Sequence, residues 1–295
     1  MERNITTKLI SLEDARFPLV EVAFKDAEGK ICVGYVLVDS GSVNCILNKT
    51  VVPFIVDSHF KADEKLNVFT VQNQAIQCQG IDFTFFMGGE KFEDTFYVNE
   101  QVDFSEMFDK NFIGIIGHQF LRKHKLVIDY AEQTLRSSDG SGCIGNNGFV
   151  YPMSKGLDVY NLPIVRLCGE TQDHLFVVDS GSNATVLSQK VLDDCKVEKV
   201  DEDNEGSITC FNNANFETSL QTVSFELRTL MGDVFSKKEF LDEEVEVLHH
   251  HDYLIENIKN EAGEVLQPLS GLLSSDFMLR HKWILDFGVG LMYSA

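Results

Sequence analysis

Basic residues are scarce in this chain of 295 residues: 25 Lys and Arg stand against 46 Asp and Glu, a formal net charge of −21. That balance excludes nucleic acid as an expected partner, because phosphate binding needs a basic face. It argues against an anionic membrane surface for the same reason. The acidic excess reads first as solubility, and only secondarily as attraction of basic substrates into an acidic cleft. Proline is also scarce, with 5 residues, whereas there are 23 Phe and 7 Tyr. This suits a compact, strand-rich chain with a sizeable core, and not a disordered one. No apolar run approaches the roughly 18 residues that a transmembrane helix needs. The seven cysteines (Cys32, Cys45, Cys78, Cys143, Cys168, Cys195 and Cys210) are odd in number and lack C-x-x-C spacing. A disulfide framework and a zinc knuckle are therefore disfavoured. The opening residues, Met1 through Lys8, lack the apolar run of a signal peptide. A reducing cytoplasm is the expected compartment. No cofactor and no metal is expected.

What is present is a repeat. Leu37-Val38-Asp39-Ser40-Gly41-Ser42 occurs again as Val177-Val178-Asp179-Ser180-Gly181-Ser182, 140 positions on. In both copies an apolar run leads into a glycine-containing bend, the pattern of a buried strand ending in a tight turn. Three further stretches match in the same order. Phe17-Pro18-Leu19-Val20 pairs with Leu162-Pro163-Ile164-Val165. Thr70-Val71-Gln72-Asn73-Gln74-Ala75 pairs with Thr209-Cys210-Phe211-Asn212-Asn213-Ala214. Gly114-Ile115-Ile116-Gly117 and the following Lys125-Leu126-Val127-Ile128-Asp129-Tyr130 pair with Gly271-Leu272-Leu273-Ser274 and Lys282-Trp283-Ile284-Leu285-Asp286-Phe287, at a shift of 157.

Strand-like alternation recurs throughout both copies. The Gly-, Ser- and Asn-rich residues 137–150 read as a linker, between an N-terminal lobe at 1–136 and a C-terminal lobe at 151–295. The second copy carries an acidic insert at 193–205. It also carries a longer excursion at 232–268, expected at the surface, that includes His249-His250-His251. That tract reads as a solvated surface run before it reads as a metal site. His118, His124 and His281 read as structural, Asp129 and Asp286 as turn-tying, and Trp283 as core.

A lone Asp is a poor nucleophile and a weak base. Two close carboxylates cannot both ionise, so one keeps a proton to give while the other is free to take one. Flanking hydroxyls can hold such a pair in place, and a glycine lets two loops approach closely.

Asp-Ser-Gly after an apolar run, with a later apolar-apolar-Gly, resembles the double signature of the aspartic proteases. The chain is similar to a retropepsin-like protease duplicated in one chain. It is similar to bacterial members of that group, with Ile-Ile-Gly-x-x-Phe-Leu-Arg-Lys-His ahead of Val-Ile-Asp-Tyr. The resemblance spans nearly the whole chain. It implies an all-β fold of two similar β-barrel lobes, retropepsin-like or pepsin-like, related by an internal pseudo-two-fold duplication. It implies an aspartic endopeptidase with Asp39 and Asp179 as the catalytic pair, a peptide or protein substrate, and a monomer. Ser40 and Ser180 would lock the two loops together, Gly41 and Gly181 would let those loops approach, and Ser42 and Ser182 would bond the outer carboxylate oxygens. Thr70, Gln72, Asn73, Thr209, Phe211 and Asn212 would form substrate-binding flaps, although the tips lack the family's usual glycines. Ser274 stands where the first copy has Gly117. The alternative reading is a catalytically inactive peptide-binding module on the same fold.

Overall fold

The computed structural model describes residues 4–12, 15–55, 60–69, 75–99, 102, 104, 107–140, 149–153, 158–169, 171–194, 196–209, 215–231, 234–259 and 263–294. The first half contains strands β1 (Thr6–Lys8), β2 (Ile10–Leu12), β3 (Ala15–Lys25), β4 (Ile31–Val38), β5 (Ile46–Leu47), β6 (Phe60–Phe69), β7 (Ala75–Met87), β8 (Glu90–Val98) and β9 (Phe112–Ile116). Helix α1 (His118–Lys123) and strands β10 (Leu126–Asp129) and β11 (Thr134–Ser137) complete it. The second half contains β12 (Val150–Pro152), β13 (Ile164–Cys168), β14 (Asp173–Asp179), β15 (Val186–Leu187), α2 (Gln189–Asp194), β16 (Lys196–Thr209), β17 (Asn215–Met231) and β18 (Val234–Leu248). It ends with β19 (Gly271–Ser274), α3 (Ser275–Arg280), β20 (Trp283–Asp286) and β21 (Leu291–Ser294). The fold is mostly β, with barrel-like sheets.

Each half builds its own sheet, and the two sheets follow one plan. The first runs β2-β3-β4-β9-β5-β8-β7-β6, with β3 also touching β7; the second runs β13-β14-β19-β15-β18-β17-β16, with β13 also touching β17. Setting β3 beside β13 and continuing along both sheets gives the same order, and only β2 is left over. The buried runs of the sequence supply the centre of each sheet. From Gly34 to Ser40 every residue is buried, as is all of β9. A strand that is apolar on both faces is the signature of one covered on both sides. β4 and β9 run parallel, as do β14 and β19.

A third, six-stranded sheet joins the halves in the order β1-β11-β10-β20-β21-β12. Its middle is the antiparallel pair β10 and β20, in which Ile128 faces Leu285. Those two residues match each other in the sequence repeat at the 157-residue shift. One face of this sheet is part of a hydrophobic core that runs continuously from Val20 and Phe85 in the first half to Phe176 and Phe277 in the second. Val127, Ile284 and Tyr293 pack together as a small separate cluster.

Two regions differ from the sequence expectation. The excursion at 232–268 is not all loop: its first part is β18, paired in long antiparallel register with β17. Its acidic and basic residues dominate the composition, but Phe240, Glu243, Val245 and Val247 point inward and are buried. The acidic insert at 193–205 runs from the end of α2 into β16. At the junction between halves, β11 extends to Ser137 and β12 begins at Val150, so regular structure reaches both edges of the expected linker.

Leu285 is fully buried at the middle of the shared sheet. Leu285→Ala is expected to cost about 2–5 kcal/mol and to lower one common unfolding transition in both halves. Denaturant unfolding followed by the lone Trp283 and by far-UV circular dichroism checks this. Two separated transitions would show that the shared sheet does not couple the halves.

Candidate active site

Asp39 follows β4 directly, and Asp179 is the last residue of β14. The Asp39 amide donates to the Ile116 carbonyl at 2.9 Å, which ties the first bend to the end of β9. In the second half Asp179 lies opposite Ser274 at the end of β19. Each apolar run thus delivers its aspartate to the same edge of its own sheet.

The two bends then grip each other. The Ser40 amide donates to Ser180 Oγ at 2.8 Å, and the Ser180 amide donates to Ser40 Oγ at 3.0 Å. Each hydroxyl passes its own proton across the interface: Ser40 Oγ donates to the Val178 carbonyl at 2.6 Å, and Ser180 Oγ to the Val38 carbonyl at 2.7 Å. Both serines are fully buried. A net gain of about 0.5–1.5 kcal/mol per bond is typical, and each buried group left without a partner costs about 1–3 kcal/mol. Removing one hydroxyl orphans an amide and a carbonyl together.

This grip brings the carboxylates to the glycines of the opposite bend. A Cβ built on Gly41 would lie 2.4 Å from Asp179 Cγ, and one on Gly181 would lie 2.4 Å from Asp39 Cγ. Any other residue at either place would occupy the space of the opposing carboxyl group. The Gly41 and Ser42 amides donate to Asp39 Oδ1 at 2.8 and 3.0 Å, and the Gly181 amide donates to Asp179 Oδ1 at 2.8 Å.

Burial pushes the Asp39 carboxyl well above the usual carboxylate range, and the charge of Asp179 pushes in the same direction; the Gly41 and Ser42 amides pull against both without prevailing. Asp179 is also raised, again chiefly by burial. A hydrogen bond between the two carboxyls works to raise Asp39 and to lower Asp179, so the two groups titrate as one unit that shares a proton. The apparent titrations belong to the pair.

One residue of the site was not singled out from sequence. Tyr130 is buried, and its hydroxyl lies against the Ser180 side chain without reaching hydrogen-bond geometry. Burial and the charges of Asp179 and Asp39 push its phenol well above its ordinary value, so it stays neutral. The signal was in the repeat: Tyr130 aligns with Phe287, and a hydroxyl present in only one copy marks an asymmetric position.

Ser42 and Ser182 differ from expectation. Their hydroxyls do not donate to the carboxylates; they donate to the Asn44 and Ala184 carbonyls, each at 2.9 Å. A bond two residues ahead is the local turn-forming use of serine, so these residues support the bends, not the outer oxygens. Ser274 also has a specific local role. Its hydroxyl caps α3 by accepting from the Phe277 amide and lies 3.1 Å from the Thr185 hydroxyl. At the equivalent Gly117, a Cβ would lie 2.4 Å from the Asn44 carbonyl oxygen.

Of the flap residues, Thr70, Gln72, Asn73, Phe211 and Asn212 lie outside the described residues. Thr209 ends β16, and its backbone lies opposite Asn215. The stems of both hairpins are present: Phe69 pairs with Ala75 in the first.

The histidines of the repeat anchor helices. His281 Nε2 and Arg280 Nη1 meet Glu243 at 2.7 and 2.6 Å, and His124 and Lys123 meet Asp94 in the equivalent arrangement. Burial tends to raise Asp94, but its bonds to His124, Lys123 and the Thr95 amide hold it at about 2. Asp129 and Asp286 tie turns by accepting from the Glu132 amide and from the Gly288 and Val289 amides respectively. Trp283 is core. His249 and His250 lie at the turn after β18. Among the described residues, no group of three or more His, Cys, Asp or Glu is placed to hold a metal ion, and Cys32, Cys45, Cys78 and Cys168 are free thiols.

Raised carboxyl values in the folded state favour folding at low pH, and that contribution is lost as pH rises through them. Asn at position 39 keeps an oxygen to accept from Gly41 and Ser42 but cannot ionise. Asp39→Asn is therefore expected to melt above the parent at pH 8, by about 2–4 °C for each kcal/mol of relieved repulsion and burial. The difference should close near pH 3. Thermal melts across that range check it; a mutant no more stable than the parent at pH 8 would contradict the assigned shifts. No protein-family model matches this chain, and no curated protein matches it in sequence, so the reading of the site rests on its own geometry.

Proposed function

We propose that this chain is an aspartic endopeptidase built on a duplicated retropepsin-like, or pepsin-like, fold. Peptide bonds would be hydrolysed by water activated between Asp39 and Asp179. The observation that carries this reading is the reciprocal Ser40–Ser180 grip, which sets each carboxyl group against the glycine of the opposite bend. The equal strand order of the two sheets supports the duplication, and the single chain supplies both carboxylates without a second copy.

In the proposed reaction, ionised Asp179 takes a proton from water as the water oxygen attacks the peptide carbonyl. Asp39 gives its proton to the carbonyl oxygen, and a tetrahedral diol results. The proton on Asp179 then passes to the amide nitrogen. The C–N bond breaks, and Asp39 recovers a proton as the new carboxyl group forms. No covalent intermediate is needed. Tyr130, neutral and buried against Ser180, is present on one side of the dyad only, since Phe287 stands at the matching position. The hairpins that end near residues 70 and 210 would cover a bound peptide and exclude water.

The rate should follow a bell in pH, because only the singly protonated pair is competent. The raised carboxyl values place the high-pH limb above that of ordinary aspartates. Cleavage of an unbiased peptide library from pH 3 to 8 tests the reading, with Asp39→Asn and Asp179→Asn run beside the parent. Cleavage by the parent that falls by about 10³-fold or more in each mutant is expected. Undiminished cleavage in either mutant, or none by the parent at any pH, would overturn it.

A further inference from the structure

One side chain close to the Asp179 bend has no task in the proposed chemistry. Glu246 lies on β18 beside β15, the short strand that follows that bend, with Val186 as its parallel partner. Its amide donates to the Thr185 carbonyl at 2.8 Å. The Thr185 hydroxyl in turn lies 3.1 Å from Oγ of Ser274, the residue paired with Asp179. On its other side Glu246 pairs with Leu220 of β17, and β17 pairs with β16 to form the stem of the hairpin proposed to cover a peptide. Glu246 thus stands between the bend and the covering hairpin.

Two polar atoms converge there. Glu246 Oε2 and Thr218 Oγ1 are both buried, and neither has a hydrogen-bond partner. Thr218 as a whole is fully buried. Both atoms face Gly206 of β16: a Cβ there would lie 3.0 Å from Thr218 Oγ1 and 3.2 Å from Glu246 Oε2. The backbone at Gly206 is outside the left-handed region, so conformation does not require glycine. What glycine does is leave open the space that both oxygens border. A buried polar atom without a partner costs free energy, and one donor-rich group over Gly206 would satisfy both.

The first half builds the matching place differently. Tyr97 corresponds to Glu246: it pairs with Ile46 of β5 and Gly80 of β7, and its amide donates to the Cys45 carbonyl at 2.9 Å. By the same register, Cys78 corresponds to Thr218 and Leu66 to Gly206. Tyr97 packs against the apolar cluster that contains Phe17, Leu37 and Phe112. From one half to the other, bulk is removed and a charge is added at three corresponding positions.

We propose that Glu246 and Thr218 form an acidic subsite that takes a lysine or arginine side chain of a bound peptide. An ammonium or guanidinium group carries several donors and no acceptor, so one head can bond both oxygens, and a charge-assisted bond to a carboxylate is the stronger kind. A metal ion is a poorer occupant, because among the described residues no group of three or more His, Cys, Asp or Glu is placed to hold one. The net charge of −21 favours the approach of basic peptides. Because the matching place carries Tyr97, a basic residue would be held on the second-half side alone, which gives a bound peptide one direction. The inference rests on the peptide-handling part of the proposed function, not on catalysis by the dyad.

The test uses the full chain carrying Asp39→Asn, which separates binding from cleavage, and an unbiased peptide library. Retained peptides are expected to be enriched in Lys or Arg at one position. The best of them is then compared with the same peptide bearing methionine at that position. Glu246→Gln keeps the shape and removes the charge, and should lower the ratio of the two affinities by about tenfold or more. Gly206→Ala keeps the charge and fills the space, and should lower the ratio too. Thermal melts without peptide establish that each variant is folded. No retained peptide, retained peptides without a basic preference, or a ratio that Glu246→Gln leaves unchanged would overturn the subsite. Cleavage of the same library by the parent tells the two readings apart. Cleavage that ignores basic residues refutes the subsite alone, whereas basic-dependent binding without any cleavage supports the subsite and refutes the enzymatic reading.

Discussion

Holding two buried carboxyl groups together is the constraint on which this architecture depends. Burial alone raises both, and each opposes ionisation of the other. Nothing about Asp39 and Asp179 favours their meeting; the surrounding backbone imposes it. The imposition is local and symmetric. Two serine hydroxyls each accept an amide proton from the opposite bend and donate to a carbonyl beyond it. Because every donor and acceptor in that exchange is buried, loosening one bond strands another, and the four bonds stand or fall together. Glycine at positions 41 and 181 is then required sterically, since the opposing carboxyl group takes the place of a side chain.

That grip would be too small to align two halves by itself. The shared six-stranded sheet supplies the rest. Its central strands belong to different halves, and its inner face is continuous with the main core. The strands that bear the aspartates are braced by parallel partners, β9 and β19, and those partners lead into α1 and α3, which are clamped to β8 and β18 by Asp94 and Glu243. The chain therefore fixes each bend from below by a helix, from the side by a strand, and from the front by the other bend.

Much of this was legible in the residues. The two Asp-Ser-Gly-Ser bends and the turn-tying Asp129 and Asp286 are turns as their residue types suggest, because they act through local geometry. The shared sheet was not legible. Nothing in the sequence pairs β10 with β20, since periodicity reports that a strand is buried but not which strand it pairs with. β18 was hidden by its charge: Lys237, Glu239, Asp242 and Glu244 on the exposed side outweigh the inward Phe240, Val245 and Val247 in any reading by composition. The direction of the Ser42 and Ser182 hydroxyls was also out of reach, because a serine beside a glycine bend can serve either the carboxylate or the backbone, and only the rotamer decides.

The differences between the halves carry as much information as the matches. Where a position must perform the same task in both, the residue type is kept: Asp, Ser and Gly in the bends, His in the helix clamps. Where the task is packing, paired changes occur. Cys45 and Gly117 in one half correspond to Thr185 and Ser274 in the other, and in each case the side chain of the first accepts from the amide of the second. Neither member could change alone, since a Cβ at Gly117 would strike the Asn44 carbonyl. A third class fits neither description. Tyr130 against Phe287, and His118 against Ser275, each place a buried polar atom without a hydrogen-bond partner in one half alone. A buried polar group without a partner is a cost with no structural return, so positions of this class are where two otherwise equivalent halves have been made to do different things.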